Sequence, residues 1–183
     1  MKLIKEDWEI QYSRGKWDYL NSIKESSRYA IIGFYSNWFH DFPSVLDVGC
    51  GFGSVVNYLK YKYYLGIDIS EVALQKANKK ENCYFLNRDA EKFTTTKKFD
   101  IIIFNEILYY LDAINIIKKY EEYLHFNGFF VISIWDHPKT KLIWELINLR
   151  YDCIDSLQLL HNQTNNKWHL GIFKCQNSKS SLN

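Results

Sequence analysis

Asp47 and Asp68 are the two acids whose neighbours point to chemistry. Asp47 stands two residues before a glycine cluster in Val45-Leu46-Asp47-Val48-Gly49-Cys50-Gly51-Phe52-Gly53, and Asp68 closes the next apolar run, Tyr63-Tyr64-Leu65-Gly66-Ile67. An apolar strand that ends in glycines lets the backbone turn sharply and approach a ligand, and an acid about 20 residues later can accept a hydrogen bond from a ribose hydroxyl. Gly49 and Asp68 are 19 residues apart. The glycines read Gly-x-Gly-x-Gly, whereas a dinucleotide site places its third glycine one position later, where the helix packs on the strand and receives a pyrophosphate. The spacing predicts a nucleotide-like cofactor that lacks a pyrophosphate. The competing role for Asp68 is a helix cap before Ser70.

These residues need a sheet to position them. From residue 44 onward short β-rich apolar runs alternate with helical patterns, which predicts an α/β fold with a mostly parallel sheet covered on both faces. Strands are expected near 44–48, 63–67, 83–86, 99–104 and 128–134. Helices are expected near 53–61, 70–79 and 112–124, with Ser70-Glu71 as one helix start and Asp112 as a cap. After a helical segment near 139–148, the runs 151–160 and 167–174 flank the polar turn His161-Asn162-Gln163-Thr164-Asn165-Asn166 and predict a hairpin. Each parallel strand ends in polar or glycine-rich sequence, at Asp47/Gly49, Asp68, Arg88/Asp89, Asn105/Glu106 and Asp136/His137. Ligands of open α/β sheets bind outside those carboxyl ends.

The ordered set of motifs resembles the class I S-adenosylmethionine-dependent methyltransferases. In that family an acid-x-Gly-x-Gly-x-Gly loop follows the first strand and an acid ends the second. Asn87-Arg88-Asp89-Ala90-Glu91 is similar to the turn beside the adenine. Phe99 to Leu111 resembles the fourth strand running into its helix, and Phe126 to Ser133 the loop and fifth strand. The likeness spans roughly residues 44 to 135. A Gly-x-Trp-x-Tyr-Leu segment at Gly15 to Leu20 narrows it to small bacterial, small-molecule enzymes. The implied architecture is a Rossmann-like doubly wound sheet, seven-stranded, with an antiparallel C-terminal hairpin strand. Its implied parts are an N-terminal helical or lid segment over 1–40, a methyltransferase core over 41–175 and a polar tail over 176–183.

The resemblance implies S-adenosylmethionine as cofactor, with S-adenosylhomocysteine as product. It assigns to the cofactor Asp47, Gly49, Cys50, Gly51, Asp68, Ile69, Asp89, Ala90, Asn105 and Glu106. Tyr12 and Trp17 flank the polar segment Ser13-Arg14-Gly15 and are expected either to fold over the cofactor or to pack as core. A sulfonium methyl is already electrophilic, so the protein must align a nucleophile and take up a proton. His137, as an imidazole after the fifth strand, is the first candidate base, with Glu106 and Tyr109 next by position after the fourth strand. His40, His125, His161 and His169 fall away from that edge.

Composition narrows the classes. The chain has 183 residues, 47% of them apolar, and a formal net charge of +2. That size suits one buried core, and the charge gives no basic field for nucleic acid. Apolar runs such as 29–35 fall far short of the roughly 20 residues of a membrane span, and Lys5, Glu6, Asp7 and Glu9 interrupt any leader-like segment. Cys50, Cys83, Cys153 and Cys175 form no Cys-x-x-Cys pair and no zinc grouping, which suits a reducing cytoplasm. The signature Asn/Asp-Pro-Pro-aromatic of DNA amino methylation is replaced by Asn105-Glu106-Ile107-Leu108. The expected acceptor is a small molecule, through a hydroxyl of a sugar, a capsule or glycan precursor or another metabolite, in a monomer or homodimer. Two rivals stand beside this reading: a catalytically silent adenosylmethionine-binding partner subunit, and a nicotinamide-dependent oxidoreductase.

Overall fold

The computed structural model describes residues 3–176. The tail expected over 176–183 lies, beyond Gln176, outside the described residues. Seven strands form one sheet: β1 (Ser44–Val48), β2 (Tyr63–Asp68), β3 (Cys83–Asn87), β4 (Phe99–Asn105), β5 (Leu124–Trp135), β6 (Tyr151–His161) and β7 (Asn166–Cys175). Their order is β3-β2-β1-β4-β5-β7-β6. The first five pair in parallel, while β7 runs antiparallel between β5 and β6. The order reverses between β1 and β4, and that reversal opens a crevice at the carboxyl edge.

Five helices accompany the sheet: α1 (Lys5–Ser13), α2 (Ile23–Trp38), α3 (Glu71–Gln75), α4 (Ala113–Glu121) and α5 (Lys141–Arg150). Alternation along the strands feeds two cores. Leu46, Val48, Ile102, Phe104, Phe130 and Ile132 bury against Ile116, Ile117 and Tyr120 of α4 and Ile147 of α5. Val45, Tyr64, Ile101, Ile103 and Val131 bury on the opposite face against Tyr29, Ile32 and Tyr35 of α2. Trp38 and Phe39, at the end of α2, remain 63% and 44% exposed.

Both expected caps form: Ser70 Oγ accepts from Ala73 N at 3.1 Å, and an Asp112 carboxylate oxygen accepts from Asn115 N at 3.4 Å. The helix expected over 53–61 is instead a 3₁₀ turn, Ser54–Tyr58. Asn37 of α2 takes both backbone groups of Lys60, donating to its carbonyl at 2.8 Å and accepting from its N–H at 2.9 Å, and so ends the helix early. α2 also approaches so closely that a Cβ on Gly33 would sit 2.1 Å from the Tyr58 carbonyl oxygen. The helices expected over 70–79 and 112–124 are shorter than their patterns, and β5 starts earlier than expected, where Leu124 pairs with Phe99.

Candidate functional site

The β1 strand ends in a loop of left-handed residues: Gly49, Gly51 and Gly53 have φ of 70°, 53° and 65°. The loop is anchored from β2. Gly51 N–H donates to Asp68 Oδ2 at 2.8 Å, Ser70 N–H donates to Asp68 Oδ1 at 2.8 Å, and Gly49 and Cys50 donate to the Ile67 carbonyl. A side chain on Gly51 would need a strained φ and would place its Cβ 3.0 Å from the Tyr12 hydroxyl. Burial pushes the Asp68 carboxyl up to about 6, against the pull of the Ser70 and Gly51 amides.

A cleft of about 1220 Å³ opens above this loop. Pockets that take one drug-sized ligand measure about 300–1,000 Å³, so the cleft has room for a cofactor and an acceptor together. Its walls bring together Gly49, Cys50, Gly51, Asp68, Ile69, Asp89, Ala90, Asn105, Glu106, Tyr109, His137, Tyr12 and Trp17. Asp47 does not line it. That acid is 1% exposed on the α2 face of β1, where Tyr64 donates to its Oδ2 at 2.5 Å, and burial pushes its carboxyl up to about 7. His40, His125, His161 and His169 are absent from the cleft walls.

The N-terminal segment covers the loop side of the cleft. Tyr12, Phe52 and Ala73 form a small buried cluster, with Trp8, Trp17 and Leu20 packed on it. Trp8 meets Tyr110 edge to face at 4.8 Å. Thus Tyr12 both packs and lines the cleft.

The far end of the cleft carries a polar cluster of Glu25, Arg28, Asn105, Glu106 and Tyr109. Glu106 has φ 60°, an uncommon backbone for a residue with a side chain and one that concentrates at functional sites. Ser133 Oγ donates to Glu106 Oε1 at 2.9 Å and Tyr109 donates to Oε2 at 3.1 Å. Burial raises the Glu106 carboxyl, while Arg28, Ser133 and Tyr109 pull it down. Arg28, 2% exposed, donates to Asn105 Oδ1 and to Glu25 Oε2. Burial works against its charge, and Glu106, Tyr29 and Glu25 outweigh that effect. Glu25 and Arg28 escaped the sequence reading. Their signal was present: Glu25, Arg28, Ile32 and Tyr35 share one face of α2 at helical spacing, so two charges interrupt an apolar stripe.

His137 sits at the rim, stacked on Trp135 at 4.6 Å, and its Nδ1 accepts from Lys139 N–H at 3.2 Å. A neutral imidazole that accepts at Nδ1 carries its proton on Nε2 and has no free base there. Two buried donors at the cleft lack a protein partner, Trp17 Nε1 and Arg28 Nε. Both can only donate, so a ligand bearing oxygen acceptors fits this wall.

A doubly wound sheet with a glycine loop and a ribose-competent acid at its switch point defines a nucleotide-type cofactor site in an α/β enzyme. A family model described as "Methyltransferase domain" matches residues 40–173. The chain belongs to that family of methyltransferase domains. Nodulation protein S of Bradyrhizobium diazoefficiens is 30% identical over 101 residues, which are 52% of this chain and 48% of that protein, so the match spans about half of the relative's length. Among solved structures, the N-methyltransferase NodS of Bradyrhizobium japonicum, in complex with S-adenosylhomocysteine, superposes with a TM-score of 0.78 at 18% identity, covering 92% of this chain and 98% of that one. The 1,6-didemethyltoxoflavin-N1-methyltransferase of Burkholderia thailandensis, holding 1,6-didemethyltoxoflavin and S-adenosylhomocysteine, gives 0.76 at 16% identity, with coverage of 94% and 87%. These likenesses establish the fold. Among the described residues no helix is long and apolar enough to cross a membrane, and no His, Cys, Asp and Glu grouping could hold a metal ion.

Proposed function

We propose that the chain methylates an amine nitrogen of a small molecule held over Glu106. The single observation that carries this reading is the cluster at the acceptor end of the cleft, where two acids, the buried Glu25 and the half-buried Glu106 of the cleft wall, face one buried base, Arg28. An amine gains positive charge as it attacks, and a buried excess of negative charge favours that change. A hydroxyl needs a base in the transition state, and His137 offers its N–H rather than a lone pair. The site therefore favours nitrogen over the hydroxyl expected from the sequence. Two of the similar structures are named as N-methyltransferases, which agrees with this choice.

Adenosylmethionine would be held by Asp68 at its ribose, by Ile69, Asp89 and Ala90 at its adenine and by the Gly49 to Gly51 backbone at its methionine part, whose carboxylate would offer Trp17 Nε1 an acceptor. Asp47 supports the loop from beneath through Tyr64. Adenosylmethionine supplies an electrophilic methyl group on sulfonium. Tyr12, Trp8 and Trp17 exclude water from the donor side, and Glu106, fixed by Ser133 and Tyr109, orients the acceptor nitrogen and stabilises its developing charge.

The test is transfer of a labelled methyl group from adenosylmethionine to a panel of primary and secondary amines and their matched alcohols. Labelled amines with unlabelled alcohols are expected. Labelled alcohols alone would overturn the nitrogen assignment, and binding of donor without labelling of any acceptor would favour a silent partner subunit.

A further inference from the structure

Sixty-one residues separate Glu9 from Ser70, yet one hydrogen bond joins them. Glu9 Oε2 accepts from Ser70 Oγ at 2.7 Å and from Val72 N–H at 3.1 Å, and its Oε1 accepts from Glu71 N–H at 2.8 Å. α3 has only five residues and already holds its own cap, since Ser70 Oγ accepts from Ala73 N. A second, remote cap on so short a helix does more for α1 than for α3. The same face of α1 makes another tie: Lys5 Nζ donates to Asn87 Oδ1 at 3.0 Å, and Asn87 Nδ2 donates to the Asp68 and Ile69 carbonyls at 3.1 and 2.7 Å.

Both ties end on the segment that carries Asp68. Ser70, bound through its hydroxyl to Glu9, holds Asp68 Oδ1 through its N–H, and Asp68 Oδ2 holds Gly51 N–H. The run Glu9, Ser70, Asp68, Gly51 is thus an unbroken hydrogen-bonded relay from the N-terminal helix to the glycine loop. Trp8 and Tyr12, on either side of Glu9 along α1, line the cleft. Three donors hold the Glu9 carboxylate, and although burial opposes them they keep its titration below the ordinary carboxylate range, so it stays ionised at neutral pH.

We propose that Glu9 is a positioning residue for the methyl donor: it makes docking of α1 over the cleft and orientation of Asp68 a single coupled event. The inference rests on the reading of Asp68 as the ribose ligand. Glu9 touches no substrate and acts through Ser70 and Asp68. Its loss loosens α1 and lets Asp68 turn, so the bound donor escapes faster.

The test is a double-mutant cycle on adenosylhomocysteine binding, with affinity and dissociation rate measured for the wild type, Glu9→Gln, Asp68→Asn and the double variant, together with hydrogen exchange over residues 5–15. Gln keeps the size but replaces one acceptor oxygen by an N–H2 facing backbone donors. Glu9→Gln is expected to lose about tenfold in affinity, mostly through faster dissociation, and less than about twofold in the Asp68→Asn background. Adenosylhomocysteine should slow exchange over 5–15 in the wild type and fail to do so in Glu9→Gln. Ser70→Ala, which breaks the relay at its middle, should reproduce the affinity loss. An equal loss in both backgrounds, or no loss in Glu9→Gln, would overturn the coupling. A wild type that does not bind adenosylhomocysteine would remove the cofactor reading itself, a result distinguishable from either.

Discussion

Gly51 N–H donates to Asp68 Oδ2 at 2.8 Å, so the acid at the end of β2 fixes the loop at the end of β1. One carboxylate shapes the loop and keeps lone pairs for the ribose of the proposed donor. Its other oxygen accepts from Ser70 N–H just ahead of α3, whose cap is Ser70 itself through Oγ and Ala73 N–H. The two roles coexist because each carboxylate oxygen has two acceptor positions.

Gly51→Val tests the loop. Gly51 has φ 53° and a Cβ there meets the Tyr12 hydroxyl at 3.0 Å. The variant should lose about 1–2 kcal/mol of folding stability from the left-handed backbone and bind adenosylhomocysteine at least about tenfold more weakly through the displaced loop and Tyr12. Unchanged affinity in a folded variant would contradict the placement of the donor against Gly51.

Asp68→Ala should cost about 1.5–3 kcal/mol of cofactor binding as a charge-assisted contact to the ribose is lost. Calorimetric titration beside thermal unfolding separates this from capping: a fall in stability with affinity intact would leave only the cap.

The Asp68 carboxyl, pushed up to about 6 by burial, gives cofactor binding a pH dependence. Ribose hydroxyls donate to the ionised form. Below about 6 the free protein holds a proton that binding must expel, so affinity should fall by up to tenfold per pH unit and level off above about 7. The sign for folding is opposite. Asp68 and Asp47 have carboxyls raised above their unfolded value of 3.8, so the folded chain binds more protons and both groups reduce stability as pH rises from about 4 through 7. Affinity that is flat from pH 5 to 8 would contradict the ionised ribose contact.

Arg28→Met leaves the buried Glu25 and the half-buried Glu106 without their cation. It should destabilise the chain by about 3–5 kcal/mol, read by denaturant unfolding. Glu106→Gln should instead keep the fold and the adenosylhomocysteine affinity while lowering turnover by about a hundredfold. His137→Ala should retain most activity. Loss of activity in His137→Ala with Glu106→Gln intact would reverse their roles.

The sheet and its ligand edge were legible because strand and loop chemistry is local. The run Val45 to Gly53 states a strand, a stop and a left-handed turn in nine consecutive residues, and Asp68 follows at a fixed spacing. The cap residues Ser70 and Asp112 were legible for the same reason. The Ser54–Tyr58 turn was not, because it is ended by Asn37, which bonds Lys60 across 23 residues. Arg28 joins Asn105 across 77 residues and Glu9 joins Ser70 across 61. Such contacts depend on how α1 and α2 dock, which no local pattern encodes. The left-handed backbone of Glu106 is likewise imposed by the tertiary fold, where its N–H donates to the Ser133 carbonyl at 3.0 Å and its side chain accepts from Ser133 Oγ.

Adenosylmethionine is the ligand proposed for the cleft above Gly49 to Gly51. The most direct measurement is thermal unfolding of the purified chain with adenosylhomocysteine, adenosylmethionine, NAD and NADP in turn. A ligand at about 100 times its dissociation constant adds about 2.7 kcal/mol, or about 5–10 °C for a chain of this size. A rise with adenosylhomocysteine and adenosylmethionine and none with the dinucleotides is expected; a rise with NAD or NADP alone, or with no ligand at all, would contradict the account.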